Sequence, residues 1–205
     1  MPENKKIEIR QLTAQDTPAL QLPNEPFALH GRMIVTRDAA AWHAQFEETD
    51  SAATQTFPDE HYQFAEIAKN GFALGAFDQN KPVGLATYQE AFFKYLYLDD
   101  LKVNAAYRHQ GIARRLIQEA APAAKQRGYA GIYTVGQDNN IDACRFYLAA
   151  GFQIGGLNTR GYGHTQHCHS YTYHVCDDLL CGDSGGTRIL YKNNCRHHIY
   201  IRTHP

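Results

Sequence analysis

The chain has 205 residues, 43% of them hydrophobic and 20% charged, an ordinary composition for a globular protein large enough for one well-buried domain. Its 20 Lys and Arg balance 21 Asp and Glu, which excludes a global field of the kind that draws nucleic acid or an anionic membrane. No apolar run reaches membrane-spanning length, and the charged start MPENKKIEIRQL lacks the apolar core of a signal peptide, so a cytoplasmic protein is expected.

In chain order, residues 6–12 alternate Ile7 and Ile9 with charged neighbours and predict an edge strand that stops at Thr13-Ala14-Gln15-Asp16. Pro23 and Pro26 interrupt the periodicity of the next segment. Residues 38–47 predict a helix capped by Asp38, with Trp42 and Phe46 on one face. A second helix is expected over 59–69, ended by Asn70-Gly71. Strands over 72–78 and 83–91 are joined by the turn Asp78-Gln79-Asn80-Lys81.

Residues 95–103 form the next strand, rich in aromatic and aliphatic side chains. A helix starting at Gly111 places Ile112, Leu116, Ala120 and Ala123 on one face and ends at Arg127-Gly128. Pro122 inside it removes a hydrogen bond and predicts a kink or a split. A short strand at 131–136, a helix at 142–150 stopped by Gly151, and strands at 152–157 and 170–175 complete the series. The order predicts a single mixed α/β domain.

The stretch from Tyr95 to Leu116 carries the chemistry. A strand delivers a short basic turn, Arg108-His109-Gln110-Gly111-Ile112-Ala113, onto a helix start. The first amides of a helix have no partner within it, and its dipole favours negative charge there, so this arrangement suits phosphate. Gly111 lets the backbone approach a bulky anion, and Arg108, Arg114 and Arg115 add charge.

This Arg-x-x-Gly-x-Ala pattern resembles the pyrophosphate-binding motif of the GCN5-related N-acetyltransferases, the GNAT family. A second block, from Gln137 to Phe152, with Asn140 and then Tyr147-Leu148-Ala149-Ala150-Gly151-Phe152, is similar to the last block of that family. The segment after Gly151 and the run Gln137-Asp138-Asn139-Asn140 resemble the streptothricin-acetyltransferase branch. The resemblance implies a mostly antiparallel central sheet, splayed in the middle and flanked by helices, with acetyl-CoA as cosubstrate. It also implies that backbone groups of Leu101, Lys102 and Val103 pair with the pantetheine arm. Amides and charge from Arg108, His109, Gln110, Gly111, Ile112, Ala113 and Arg114 would hold the pyrophosphate, with Asn140 touching the CoA from the other side.

Acyl transfer from a thioester to an amine needs a neutral amine and a protonated leaving thiolate. Asp99 and Asp100 lie near the strand centre, and because neighbouring strand residues face opposite ways, only one is expected to point at the amine. Similar enzymes carry an acidic residue at Asp99, which is therefore the expected base. Tyr147 matches the family's tyrosine acid; as a plain sequence feature it is equally an aromatic on a helix face. Trp42, Phe46, Phe57, Glu60 and Tyr62 fall in the half that covers the acceptor in this family, and an aromatic and acidic wall suits a cationic amine. His109 is expected to lend charge, and Cys144 to pack as a small buried residue.

These features predict acetyl-CoA-dependent N-acetylation of a small-molecule amine, with no nucleic-acid or membrane partner and a homodimer left open. An acyl-CoA-binding sensor without turnover is the alternative; it would need the loop and not Asp99 or Tyr147. The acetyltransferase domain is assigned to residues 1–176 and a tail to 177–205, after a rise in cysteine and histidine that begins near residue 164. Cys176, Cys181, Cys195 and His197 lack the paired spacing of a zinc site, so no metal is assigned.

Overall fold

Most of the chain's alternating and apolar runs become strands where the sequence places them. A computed structural model describes residues 6–91, 94–159 and 171–176. Its elements begin with β1 (Ile7–Gln11), α1 (Thr17–Leu20), β2 (Phe27–Ala28), β3 (Gly31–Arg37), β4 (Trp42–Glu48), β5 (Thr54–Gln55) and α2 (Phe64–Asn70). They continue with β6 (Gly71–Asp78), β7 (Lys81–Glu90), β8 (Tyr95–Val103), α3 (Ile112–Gln126), β9 (Gly131–Gln137), α4 (Ile141–Ala149), β10 (Gln153–Asn158) and β11 (Tyr171–Cys176). Among the described residues the fold is α/β, with a mixed, mostly antiparallel sheet and four α-helices, and it divides into two compact units. The expected tail at 177–205, with Cys181, Cys195 and His197, lies outside the described residues, as does Cys168.

The first unit takes the chain up to residue 26 and residues 56–132. In it β1 pairs antiparallel with β6, β6 with β7, and β7 with β8. Strand alternation gives this sheet two apolar faces. One receives α3: Ile112, Leu116, Ile117, Ala120, Ala121 and Ala124 are buried, and the Tyr88 hydroxyl donates to the Leu116 carbonyl at 3.1 Å. Against Ala73, Phe77 and Leu85 of the other face pack Leu12, Ala19, Leu20 and Leu22, with Tyr62, Phe64 and Ile67 beside them. Burying a side chain of this size contributes about 1.5–3 kcal/mol, so these two layers hold the sheet in place.

The second unit takes residues 27–55 and the chain from 133 onward. β10 and β11 pair antiparallel, β3 and β4 form a hairpin, and β2 pairs with β5. The Met33 amide donates to the Asp138 carbonyl at 2.8 Å, which fastens the hairpin to the end of β9.

Three expectations need correction. The helix expected at 38–47 is a hairpin: Asp38 Oδ1 accepts from the amides of Ala40 and Ala41 at 2.7 and 2.8 Å, so the Asp caps a turn between strands. Trp42 and Phe46 share a face in either conformation, because a spacing of four fits both periods. α2 starts at Phe64 rather than 59, since His61 has φ +52 and Asn24 bonds the Pro58 carbonyl and the Asp59 and Glu60 carboxylates. Pro122 does not split α3, which runs unbroken from Ile112 to Gln126, and its buried face carries Ala124 rather than Ala123.

Candidate active site

β8 ends at Val103, and the chain turns at once. Asn104 Oδ1 accepts from the Ala106 amide at 3.2 Å and so caps a short 3₁₀ turn, Ala105–Tyr107. His109 then adopts φ +59 and Gly111 φ +77, the left-handed backbone that turns the chain into α3. A Cβ built on Gly111 would meet nothing within 4 Å, so the space beside this backbone is open. Among the described residues no side chain caps the α3 N-terminus, an arrangement of first-turn amides that suits an anion.

The basic residues around this turn divide their work. Arg108 Nε donates to the Val103 carbonyl at 3.0 Å, and its Nη2 to Glu25 at 3.1 Å. Arg115 reaches back to the Ile7 carbonyl at 3.1 Å and ties α3 to β1. Gln110 Nε2 donates to the Ala106 carbonyl at 3.2 Å. The side chains of Arg108 and Arg115 therefore hold the scaffold, while the backbone from His109 to Arg114 forms the turn into α3.

The centre of β8 departs from simple alternation. Thr87 pairs with Asp100, but Tyr88 pairs with Leu98, so Asp99 is the extra residue of a β-bulge. The expectation that Asp99 and Asp100 face opposite ways fails at this bulge. Asp99 accepts from Gln89 Nε2 at 2.8 Å, and Gln89 shares its face with Thr87, the partner of Asp100. Both carboxylates act on the same phenol, Tyr62, and on each other.

Around them stands a charge cluster. Lys102 Nζ lies 2.6 Å from Glu60 Oε2 and 3.0 Å from Asp100 Oδ2, with the Tyr62 ring centroid 5.7 Å away. The second oxygen of Glu60 accepts from Asn24 Nδ2 at 2.9 Å. Two carboxylates, Glu60 and Asp100, thus share one ammonium, and Asp99 stands beside them on Gln89. Burial raises the Asp100 carboxyl to about 6, opposed by Lys102 and reinforced by Glu60 and Asp99. Burial also raises Asp99, against the Gln89 hydrogen bond and with Glu60 adding. Although burial opposes it, Glu60 is held below its usual range by Lys102 and Asn24. Lys102 is raised despite burial, because Asp100 and Glu60 outweigh it.

In the second unit Tyr147 sits on α4, buried, with its ring 5.3 Å from Phe146, 5.4 Å from Phe152 and 5.2 Å from His174. Asn140 caps α4, its Oδ1 accepting from the Ala143 amide at 3.2 Å. Cys144 is fully buried and its thiol donates to the Gln137 carbonyl at 3.3 Å, the packing role expected of it. Trp42 and Phe46 also belong here, under the guanidinium groups of Arg37 and Arg145 respectively. Asp99, Lys102 and the 108–114 loop therefore share the first unit with Glu60 and Tyr62, while Tyr147 and Asn140 lie in the second.

Four participants escape a reading of sequence alone: Glu25, Gln89, Asn24 and the ammonium of Lys102. Only Lys102 carries a local signal, as a lone cation between the apolar Leu101 and Val103. The others meet their partners across 10 to 83 residues of chain. Among the described residues, no group of three or more His, Cys, Asp or Glu could hold a metal ion, and no helix is long and apolar enough to cross a membrane.

The chain is similar to known proteins along most of its length. The family model described as Acetyltransferase (GNAT) family matches residues 38–152. Streptothricin acetyltransferase A of Bacillus subtilis (strain 168) is 27% identical over 155 residues, which cover 75% of this chain and 90% of that protein. Streptothricin acetyltransferase of Escherichia coli is 31% identical over 88 residues, 43% of this chain and 51% of that one. Among solved structures, a Bacillus anthracis strain Ames protein assigned as a streptothricin acetyltransferase, in complex with acetyl coenzyme A, has a TM-score of 0.74 at 24% identity. The likeness covers 84% of this chain and 99% of that one, and it is a likeness of fold.

Proposed function

From the premise that the chain belongs to the GNAT family and is an acetyl-CoA-dependent acetyltransferase, we propose that it acetylates a primary amine of a small cationic molecule, of the streptothricin type. The observation that carries this reading is the bulge in β8, which puts Asp99 and Asp100 on one face, with Asp100 and Glu60 both ion-paired to Lys102 and Asp99 beside them. A site with more negative than positive charge attracts an alkylammonium, which is the form such an amine takes at neutral pH. The names of the curated relatives support the substrate class.

The loop fits the cosubstrate. Uncapped amides at the α3 N-terminus and the open backbone at Gly111 accept a pyrophosphate without displacing any side chain. Asp99 takes the proton from the bound ammonium. It suits the task better than Asp100, because its hydrogen-bond partner is the neutral Gln89 amide, whereas Asp100 is ion-paired to Lys102. The freed amine attacks the thioester carbonyl, the new C–N bond forms, and the C–S bond breaks. Tyr147 donates a proton to the departing thiolate, a role that a buried phenol can fill.

The test is release of free thiol from acetyl-CoA over a panel of amines that includes streptothricin, polyamines, amino sugars and a peptide N-terminus. Turnover with streptothricin, lost in Asp99→Asn, supports the proposal. Acetyl-CoA binding without thiol release from any member of the panel would replace it with a non-catalytic acyl-CoA sensor.

A further inference from the structure

We infer that Glu25 is a positioning residue for acetyl-CoA binding, its carboxylate pinning the turn that delivers the phosphate loop onto α3. The inference rests on the reading of residues 108–114 as that loop. One oxygen of Glu25 accepts from the Ala105 amide at 2.5 Å and from Arg108 Nη2 at 3.1 Å. The Ala105 amide opens the 3₁₀ turn, where a backbone donor otherwise has no partner. Arg108 spans from Glu25 to the Val103 carbonyl, so the end of β8, the turn and the residue before His109 are fixed to one carboxylate.

The segment that presents Glu25 is itself braced. Pro23 and Pro26 flank it and restrict the backbone on both sides. Its neighbour Asn24 bonds to the Asp59 carboxylate at 2.7 Å, the Pro58 carbonyl at 2.8 Å and Glu60 Oε1 at 2.9 Å. Two adjacent residues thus reach in different directions, Asn24 to the carboxylate cluster at the β8 bulge and Glu25 to the turn beyond the strand's end. Arg108, matched by Glu25, works as a pin in this arrangement and leaves the anion to the backbone amides of the residues after it.

Calorimetric titration of the full chain with acetyl-CoA, at low and high salt, tests the assignment. The variants are Glu25→Ala, Glu25→Gln, Arg108→Ala, the Glu25→Ala/Arg108→Ala double, and Gly111→Asp as a lesion of the loop itself. Glu25→Ala is expected to weaken acetyl-CoA binding about tenfold, the scale of one lost charge-assisted hydrogen bond. Glu25→Gln recovers most of that, because its amide oxygen still accepts from Ala105. Arg108→Ala loses a similar factor that does not grow with salt, and the double variant loses no more than either single one. A residue needed only for folding would lower the melting midpoint and leave the affinity of the folded fraction intact. If Glu25→Ala does not fold, Glu25→Asp, one methylene too short to reach both donors, takes its place. Wild-type binding by Glu25→Ala, with Gly111→Asp unable to bind, overturns the role of Glu25 and leaves the loop standing. Wild-type binding by both removes the loop, and the inference with it. Additive losses for Glu25→Ala and Arg108→Ala, with a salt-dependent Arg108 effect, would make Arg108 a phosphate ligand and overturn the pin.

Discussion

The ammonium of Lys102 lies 3.0 Å from the Asp100 carboxylate, and it is the main influence that opposes Asp100's burial. Lys102→Met removes that opposition, so the Asp100 carboxyl should climb further above about 6 and be largely protonated at neutral pH. The acid limb of the kcat/KM profile for thiol release is expected to move upward by about one pH unit. A limb that stays where it is in the wild type would show that the charge of Asp100 does not enter the reaction.

Asp99→Asn keeps the shape of the side chain and its contact with Gln89 while removing the base. Turnover at neutral pH is expected to fall about 10²- to 10⁴-fold and to recover in part at high pH, where the amine loses its proton unaided. Asp100→Asn should lose less and show no such recovery. If the two variants exchange these profiles, Asp100 is the base.

Tyr147→Phe keeps the ring that packs on Phe146, Phe152 and His174 and removes only the hydroxyl. A drop in kcat of roughly 10- to 1000-fold with unchanged acetyl-CoA affinity is expected if the hydroxyl acts on the leaving group as proposed. Full kcat with a good acceptor would assign the ring to packing and the proton to water.

His174 is fully buried, neither ring nitrogen has a hydrogen-bond partner among the described residues, and burial holds its pKa down at about 4. The unfolded chain takes up a proton near 6.5 that the folded chain refuses until about 4. His174 therefore subtracts nothing above pH 6.5, and stability declines as pH falls from there toward 4, by up to roughly 3 kcal/mol. Asp100, raised to about 6, works in the opposite sense, since its folded form binds a proton first as pH falls. The two are separated by comparing melting midpoints of wild type and His174→Leu. The gap should widen in favour of the variant as pH falls through this window, and a gap independent of pH would mean that His174 does not resist protonation.

The features legible in the sequence are the local ones. β8 has the predicted boundaries, and the turn from Asn104 to Gly111 is set by glycine, a polar stop and an amphipathic run within a few residues. Residues 38–47 of the hairpin read as a helix because Trp42 and Phe46 satisfy both periods and Asp38 caps a turn as readily as a helix. Nothing in Leu98-Asp99-Asp100 announces a bulge, which is a property of pairing with β7 and so depends on a second strand. The partners of Glu60 and Arg108 are hidden for the same reason. Asn24 and Glu25 meet them only after α1 and the 23–26 segment have packed on the sheet.

The bulge also separates what the sheet requires from what the chemistry requires. A chain lacking residue 99 could keep Tyr88 opposite Leu98 and Thr87 opposite Asp100, with every other rung of the β7–β8 ladder as it stands. The proposed base is in effect an insertion of one residue into a strand that is complete without it. If the proposed base is right, the reaction is one codon away from a folded protein, and a deletion of Asp99 should give a catalytically silent twin that keeps the β7–β8 ladder.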